Sequence, residues 1–353
     1  VQTKILPINE ESLTLAKQYL KQGELVAFPT ETVYGLGAWA LSEEGIARIY
    51  QAKGRPSDNP LIVHIAPEFA LDTLVRRIPE PLPLLAARFW PGPLTLIMPK
   101  RAEISSRITG GLDTVAVRMP SHPAAMALLQ YTGMPLAAPS ANRSGRPSPT
   151  TAVHVQEDMQ GRIPLILDGG DCQVGLESTV LDLTGEIPMI LRPGAITKEM
   201  LEEVIPEVAV DPAVKQAREV AADIVPRAPG MKYRHYAPKG RLIVTDATAE
   251  QMARLIAMQP AGEKIGCIVT GQLLQELSQR LAGRSVQMIC LGDRKHPEEL
   301  AANLFGALRE ADEKNLTLIY GEALPREGMG EAIMNRFLKA ASQQLWMNQE
   351  EKG

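Results

Sequence analysis

The chain has 353 residues, 45% hydrophobic and 22% charged, with a formal net charge of −4 at pH 7. That length predicts two domains, and the charge excludes a globally basic nucleic-acid binder, leaving only local patches. Aromatics at 4% are too few for a base-stacking platform, and three widely spaced cysteines (Cys172, Cys267, Cys290) exclude a disulfide framework or a cysteine-based zinc site and fit a reducing cytosol. With no apolar run of spanning length and no secretion signal at the start, a cytoplasmic location is expected.

Asn9 is placed to cap a first helix whose stripe is Leu13, Ala16 and Leu20. Leu25 to Phe28 reads as a short buried strand, and Pro29 to Gly37 as a hydroxyl-rich segment with two glycines. Gly35-x-Gly37-x-x-Ala40 loosely matches a dinucleotide fingerprint. Six residues separate Phe28 from Gly35, however, and no strand ending in an acid follows at the required distance, which counts against that rival.

Glu43 to Lys53 carries Ile46, Ile49 and Tyr50 at helical spacing, Gly54 sits where a left-handed cap belongs, and Pro56 blocks continuation. Lys53 and Arg55 thus set two cations one residue apart at a chain break, although a lysine in a last helical turn also serves the helix dipole alone. Leu61 to Ile65 alternates as a strand with Ile62 and His64 on one face; a histidine there is equally a packing residue. A helix over Pro83–Phe89 stops at Pro91-Gly92-Pro93, and Leu94–Met98 is a strand.

In Leu112–Met119, period two puts Val115, Val117 and Met119 on one face and Thr114, Ala116 and Arg118 on the other. An arginine in so apolar a strand has to meet an anion or a carbonyl, because an unpaired buried charge costs several kcal/mol. Its partner is either an internal acid or a ligand carboxylate gripped by both arms of the guanidinium. Leu136–Ala138 is a short strand, and Pro139–Pro149 a loop with serine, asparagine and arginine donors and no acid, a composition suited to polyphosphate or to plain solvation.

Leu165–Leu167, Ser178–Leu181 and Met189–Leu191 are further strands, the last running into Arg192-Pro193-Gly194, with Thr197 capping the next helix. From Glu207 to Pro226 periodicity fades into a linker with a short helix. Ala228–Pro238 is basic, bounded by prolines and holds two of the seven tyrosines, which fits a segment lying on a surface rather than a spacer. Strands at Arg241–Thr245, Ile265–Val269, Val286–Leu291 and Leu316–Ile319 then alternate with helices at Ala249–Met258, Gln272–Leu281, Glu298–Asn315 and from Glu331 onward. That alternation predicts a parallel, doubly wound α/β domain. It lacks clustered acids, histidines or a phosphate loop, so a supporting role is expected.

Lys53-Gly54-Arg55 with Ser140-Ala141-Asn142 resembles the KxR and SxN signature of the YrdC-like family. Pro29–Leu36, Asp113–Pro120, Glu177–Val180 and Arg192-Pro193-Gly194 match that family in order, and Met231–Tyr236 with the region after Gly240 resembles its two-domain members, the threonylcarbamoyl-AMP synthases. Ala228 stands where serine is expected.

The resemblance implies an α/β protein: a YrdC-like open twisted sheet with a large basic cleft over 1–205, a linker or lid over 206–239, and a Rossmann-like parallel α/β domain over 240–353. It implies a nucleotidyltransferase that makes L-threonylcarbamoyladenylate and pyrophosphate from L-threonine, bicarbonate and ATP. The product would pass to the tRNA threonylcarbamoyl transfer machinery; no membrane partner is expected, and direct tRNA binding is undecided. Lys53 and Arg55 are implied as catalytic, and Thr32, His64, Arg118, Ala138 and Ser178 as threonine-binding. ATP would meet Lys53, Arg55, Asn59, Thr114, Ser140, Asn142, Ser148, Arg192 and Tyr236, under a lid of Tyr233, His235 and Tyr236. Magnesium would come with ATP and without a dedicated protein site. Because no Walker loop is present, side-chain cations have to replace the backbone cradle. Two other classes stand beside this one: a structured-RNA-binding module using the same basic concavity, and a carbamoyl-adenylate-using relative, whose zinc-binding and acylphosphatase modules are not seen here.

Overall fold

The computed structural model describes residues 1–215, 226–229, 235–260, 262–342 and 345–346. It divides into two compact units, Val1–Ser144 with Ser148–Tyr233, and Gly145–Pro147 with Arg234–Gly353.

The first unit is built on one mixed sheet. Its strands in chain order are β1 (Lys4–Pro7), β2 (Val26–Pro29), β3 (Tyr34–Trp39), β4 (Ile62–His64), β5 (Leu94–Pro99), β6 (Thr114–Arg118), β7 (Leu136–Ala137), β8 (Leu165–Asp168), β9 (Thr179–Asp182), β10 (Met189–Arg192) and β11 (Ala209–Val210). Their spatial order is β1-β8-β2-β3-β7-β4-β6-β5-β9-β10-β11. Local chemistry sets the helix ends. Asn9 accepts from Ser12 N while the Ser12 hydroxyl accepts from Asn9 N, a reciprocal cap for the helix Glu10–Lys21. The helix Glu43–Lys53 starts at the Ser42 hydroxyl and stops at Gly54, whose φ of 63° is the left-handed conformation glycine adopts without penalty.

The hydroxyl-rich segment Pro29–Gly37 runs into a strand, since Tyr34–Trp39 forms β3, antiparallel to β2. A Cβ at Gly37 would come within 2.8 Å of the Phe28 ring, so this glycine makes room for an aromatic neighbour in the sheet. Strand pairing and ring packing account for both glycines, and no phosphate turn is formed. The expected linker also opens differently, with β11 adding to the sheet parallel to β10.

Alternation sorts the middle strands into two faces. Val63, Val115, Val117, Leu96 and Leu181 enter the large core, which also holds Ile46 and Ile49. The opposite face is apolar in one row and polar in the next, and it carries the candidate site.

The second unit has strands β12 (Arg241–Thr245), β13 (Ile265–Val269), β14 (Val286–Cys290), β15 (Leu318–Glu322) and β16 (Leu345–Trp346), ordered β14-β13-β15-β12-β16. Every pairing in it is parallel, as the strand–helix alternation requires. Within this unit Tyr236, at φ 64°, stacks on Phe305 with ring centroids 5.0 Å apart. The buried Arg309 donates to the Pro147 carbonyl at 2.6 Å. No helix among the described residues is long and apolar enough to cross a membrane.

Candidate functional site

Strand register assembles the site. His64 of β4 lies opposite Arg118 of β6, Arg118 opposite Thr95 of β5, Thr95 opposite Val180 of β9, and Val180 opposite Arg192 of β10. Five residues from five strands therefore form one transverse row, and Ser178, two positions before Val180, joins the same face. The next row, Ile62, Ala116, Ile97 and Asp182, is its largely apolar continuation. Ala228 is fully buried in the cluster that includes Ile62, Ile97, Ala116, Val180 and Leu191. Arg227 ties this short segment down through Asp182 and Asp211, each at 3.0 Å.

Arg118 is buried and meets the internal acid: its Nη2 lies 2.6 Å from Glu31 Oε1. Neither of those two atoms has a hydrogen-bond partner, so the contact is ionic and not aligned. The guanidinium also donates to Thr32 Oγ1 at 2.8 Å and to the Gly92 carbonyl at 3.3 Å. Thr32 is linked in turn to Thr30 at 2.8 Å. Burial pushes the Glu31 carboxyl up, but the adjacent Arg118 charge and hydrogen bonding to the carboxylate, as from Ser121 N, outweigh that and leave it below the usual glutamate value.

His64 is buried at the β4 end of the same row. Burial first, and Arg118 second, bring its pKa down to about 3, so it is neutral at pH 7. Its Nδ1 lies 3.2 Å from the Ile62 carbonyl, which can only accept, leaving Nε2 as the acceptor. Further along, Ser178 shares a 2.7 Å hydroxyl bond with Thr95 and accepts from Arg192 Nη2 at 3.1 Å. Arg192 also donates to the Ser178 and Pro229 carbonyls. A Cβ at Gly194 would collide with the backbone of Ser178 and Thr179, which explains glycine after Arg192-Pro193.

The second group centres on Lys53. Its buried ammonium donates to the carbonyls of Ser140 and Asn142, the latter at 2.7 Å, and lies 3.4 Å from Asn142 Oδ1. The Lys53 carbonyl accepts from Ser144 N at 2.9 Å, so both ends of this residue hold the 139–149 loop. β3 holds it too, through Ala141 N to the Tyr34 carbonyl and Tyr34 N to the Pro149 carbonyl. Burial, reinforced by Arg55, draws the Lys53 ammonium well below the usual lysine value. Ser140 donates to Asn142 Oδ1 at 2.5 Å, and Ser148 to Glu177 Oε1 at 2.7 Å. Arg55 donates to the carbonyls of Asn59 and Pro60. The Asn59 side chain is fully buried with neither amide atom hydrogen-bonded, an unmet donor and acceptor beside the Arg55 loop.

The predicted residues thus fall into two sets. Thr32, His64, Arg118, Ser178 and Arg192 meet on the sheet face, with Ala138 at the edge of β7, where its N–H bonds the Ile62 carbonyl, and Thr114 four positions before Arg118 on the same face of β6. Lys53, Ser140 and Asn142 form one network, with Arg55, Asn59 and Ser148 in the adjoining loops. His235 and Tyr236 lie in the second unit, and Tyr233 falls outside the described residues. Sequence reasoning missed Glu31, Glu177 and Thr95. Glu31 was the only acid in the hydroxyl-rich motif after β2, which was its one local signal; nothing local marks Thr95.

An open mixed sheet with buried cations and hydroxyls on one face, followed by a parallel α/β unit, defines a two-domain α/β protein of the YrdC type. The Sua5/YciO/YrdC family, described as telomere recombination, matches residues 18–194, and the threonylcarbamoyl-AMP synthase C-terminal domain matches residues 196–342. The threonylcarbamoyl-AMP synthase of Pyrococcus abyssi is 47% identical over 96% of this chain and 96% of its own length. That of Bacillus subtilis is 46% identical over 96% and 95%. The crystal structure of P. abyssi Sua5 complexed with L-threonine superposes with a TM-score of 0.88 at 45% identity, covering 98% of this chain and 99% of that one. The chain belongs to the threonylcarbamoyl-AMP synthase family, nucleotidyltransferases that serve the threonylcarbamoyladenosine modification of tRNA.

Proposed function

We propose that this protein condenses L-threonine, bicarbonate and ATP into threonylcarbamoyl-adenylate, with threonine on the polar row of the sheet and the nucleotide at the Lys53–Asn142 network. The observation that carries the reading is the row itself: two buried arginines, a neutral histidine and paired hydroxyls on one sheet face, where apolar residues would otherwise pack. Arg118 takes the threonine carboxylate through its unaligned Nη2. Thr32, the lone pair of His64 and Ser178 take the hydroxyl and amine ends, with Ala138 lining the site.

The threonine amine and bicarbonate join with loss of water to an N-carboxylate. One of its oxygens bonds to the α-phosphorus as the bond to the bridging oxygen breaks, and pyrophosphate leaves. Such a displacement needs positioning and charge stabilisation more than a protein nucleophile. Arg55 and Arg192 supply charge; Ser140, Asn142, Ser148, Thr114 and the orphan amide of Asn59 supply hydrogen bonds. Lys53 keeps the loop in place rather than reaching the phosphates itself. The Ala228–Pro229 segment over the sheet face helps keep water from the mixed anhydride.

Among the described residues no group of three or more His, Cys, Asp or Glu gathers to hold a metal. The residues present do not fit a protein-held magnesium; the ion proposed is the one that arrives on the triphosphate, carried by phosphate oxygens and water. The product goes to the machinery that transfers the group to tRNA, in the cytoplasm. Incubation with labelled threonine, bicarbonate and ATP should yield the labelled adenylate and threonine-dependent pyrophosphate. Pyrophosphate release indifferent to threonine would refute the reading.

A further inference from the structure

We infer that Glu31 is a positioning residue that makes the Arg118 subsite select a zwitterionic amino acid over a plain carboxylate. The inference rests on the proposed reading of Arg118 as the carboxylate clamp. Each member of the pair is anchored by the fold independently of the other. Glu31 Oε2 accepts from Ser121 N at 3.1 Å, and the Glu31 carbonyl accepts from Val174 N at 2.8 Å. Arg118 is held by Thr32 and the Gly92 carbonyl. The two charges lie 2.6 Å apart although the atoms in contact are not aligned for a hydrogen bond. Such a pair does not have to separate when a ligand arrives, and the carboxylate stays as a fixed countercharge.

The charge of the surroundings follows from the neighbours. The groups that face the pair electrostatically are His64, His122 and Cys172. Burial holds both histidines below their usual value and, with Glu31, holds the thiol above its own, so all three are neutral at pH 7. At this end of the row Arg118 and Glu31 then sum to zero; Arg192, the row's second cation, lies three strands away beyond Thr95 and Val180 and donates to Ser178 and the Pro229 carbonyl. A free amino acid, carrying ammonium and carboxylate together, enters without changing that sum. A carboxylate without the amine brings an uncompensated negative charge into a buried site, which is strongly unfavourable. Without Glu31 the site would carry one positive charge and favour the anion.

The test compares binding of threonine and of 3-hydroxybutyrate, which keeps the carbon frame and hydroxyl but lacks the amine, by calorimetry on the full chain. The wild type should prefer threonine by about tenfold or more, and Glu31→Gln should weaken threonine and narrow that ratio about tenfold. Glu31→Asp keeps the charge and should keep the preference. Equal loss of both affinities in Glu31→Gln, the mark of a merely loosened fold, overturns the inference. So does equal affinity in the wild type, a measurement that needs no variant to fold. Failure of the underlying reading looks different: Arg118→Gln would then leave threonine affinity unchanged.

Discussion

The buried neutral His64 should make stability depend on pH in a way one substitution removes. Its pKa is 6.5 when exposed and about 3 in the folded chain, because burial and then Arg118 disfavour the imidazolium. The folded pKa is depressed, so the full stability is present above the unfolded value and is lost as pH falls from 6.5 toward about 3. At about 1.4 kcal/mol per unit, the loss is about 2.7 kcal/mol at pH 4.5 and about 5 kcal/mol at its limit. His64→Asn can still donate to the Ile62 carbonyl but cannot take up the proton. Urea unfolding of both proteins at half-unit steps from pH 7.5 to 4.5 reads the difference. Lost packing moves the variant's whole curve, whereas the linkage appears only in the slope. Wild type should lose about one proton's worth of stability per pH unit more than the variant; parallel curves would refute the buried neutral imidazole.

Lys53→Met leaves two loop carbonyls without their donor, each worth about 1–3 kcal/mol. The ATP requirement should rise far more than the threonine requirement, and the amides of Ser140–Ser144 should exchange faster. An unchanged KM for ATP with a fallen kcat would instead put Lys53 on the reacting phosphates. Arg118→Met strands Glu31 and should cost about 3–5 kcal/mol in chemical unfolding, with the KM for threonine raised more than that for ATP; equal effects on both substrates would remove Arg118 from the amino-acid subsite. Glu31 itself, lowered in the fold by Arg118 against the opposing effect of burial, contributes stability above pH 4.5 that is lost as pH falls through its folded pKa. Glu31→Gln should therefore flatten the acid limb of the unfolding curve, as read by fluorescence. Gly194→Ala forces a Cβ into the backbone of Ser178 and Thr179 and should destabilise by about 1–3 kcal/mol, measured as a lower Tm.

The sequence was most legible where structure depends on near neighbours. The Asn9 and Thr197 caps each follow from a side chain within a few residues of its partner, and the left-handed Gly54 from its own lack of a Cβ. The faces of the strand around Arg118 followed from period two, and the parallel sheet of the second unit from the order of its elements. The strand Tyr34–Trp39 went unread because two glycines lower strand propensity, whereas packing under Phe28 favours them. The first strand and the helices Pro123–Thr132 and Ala152–Met159 also went unread, the two helices starting close to proline-rich loops that masked their period.

By itself, then, the sequence determined which residues carry charge, which face of each strand they share, and the family to which their motifs belong. Only the tertiary structure decided that His64, Arg118, Thr95 and Arg192 stand in one row, because that needs the register of strands distant in the chain. It alone decided that the answer to Arg118 is Glu31, and that Lys53 holds the Ser140–Asn142 loop. A side chain's periodicity records which way it points, whereas its partner is chosen by where the rest of the sheet places another segment of chain.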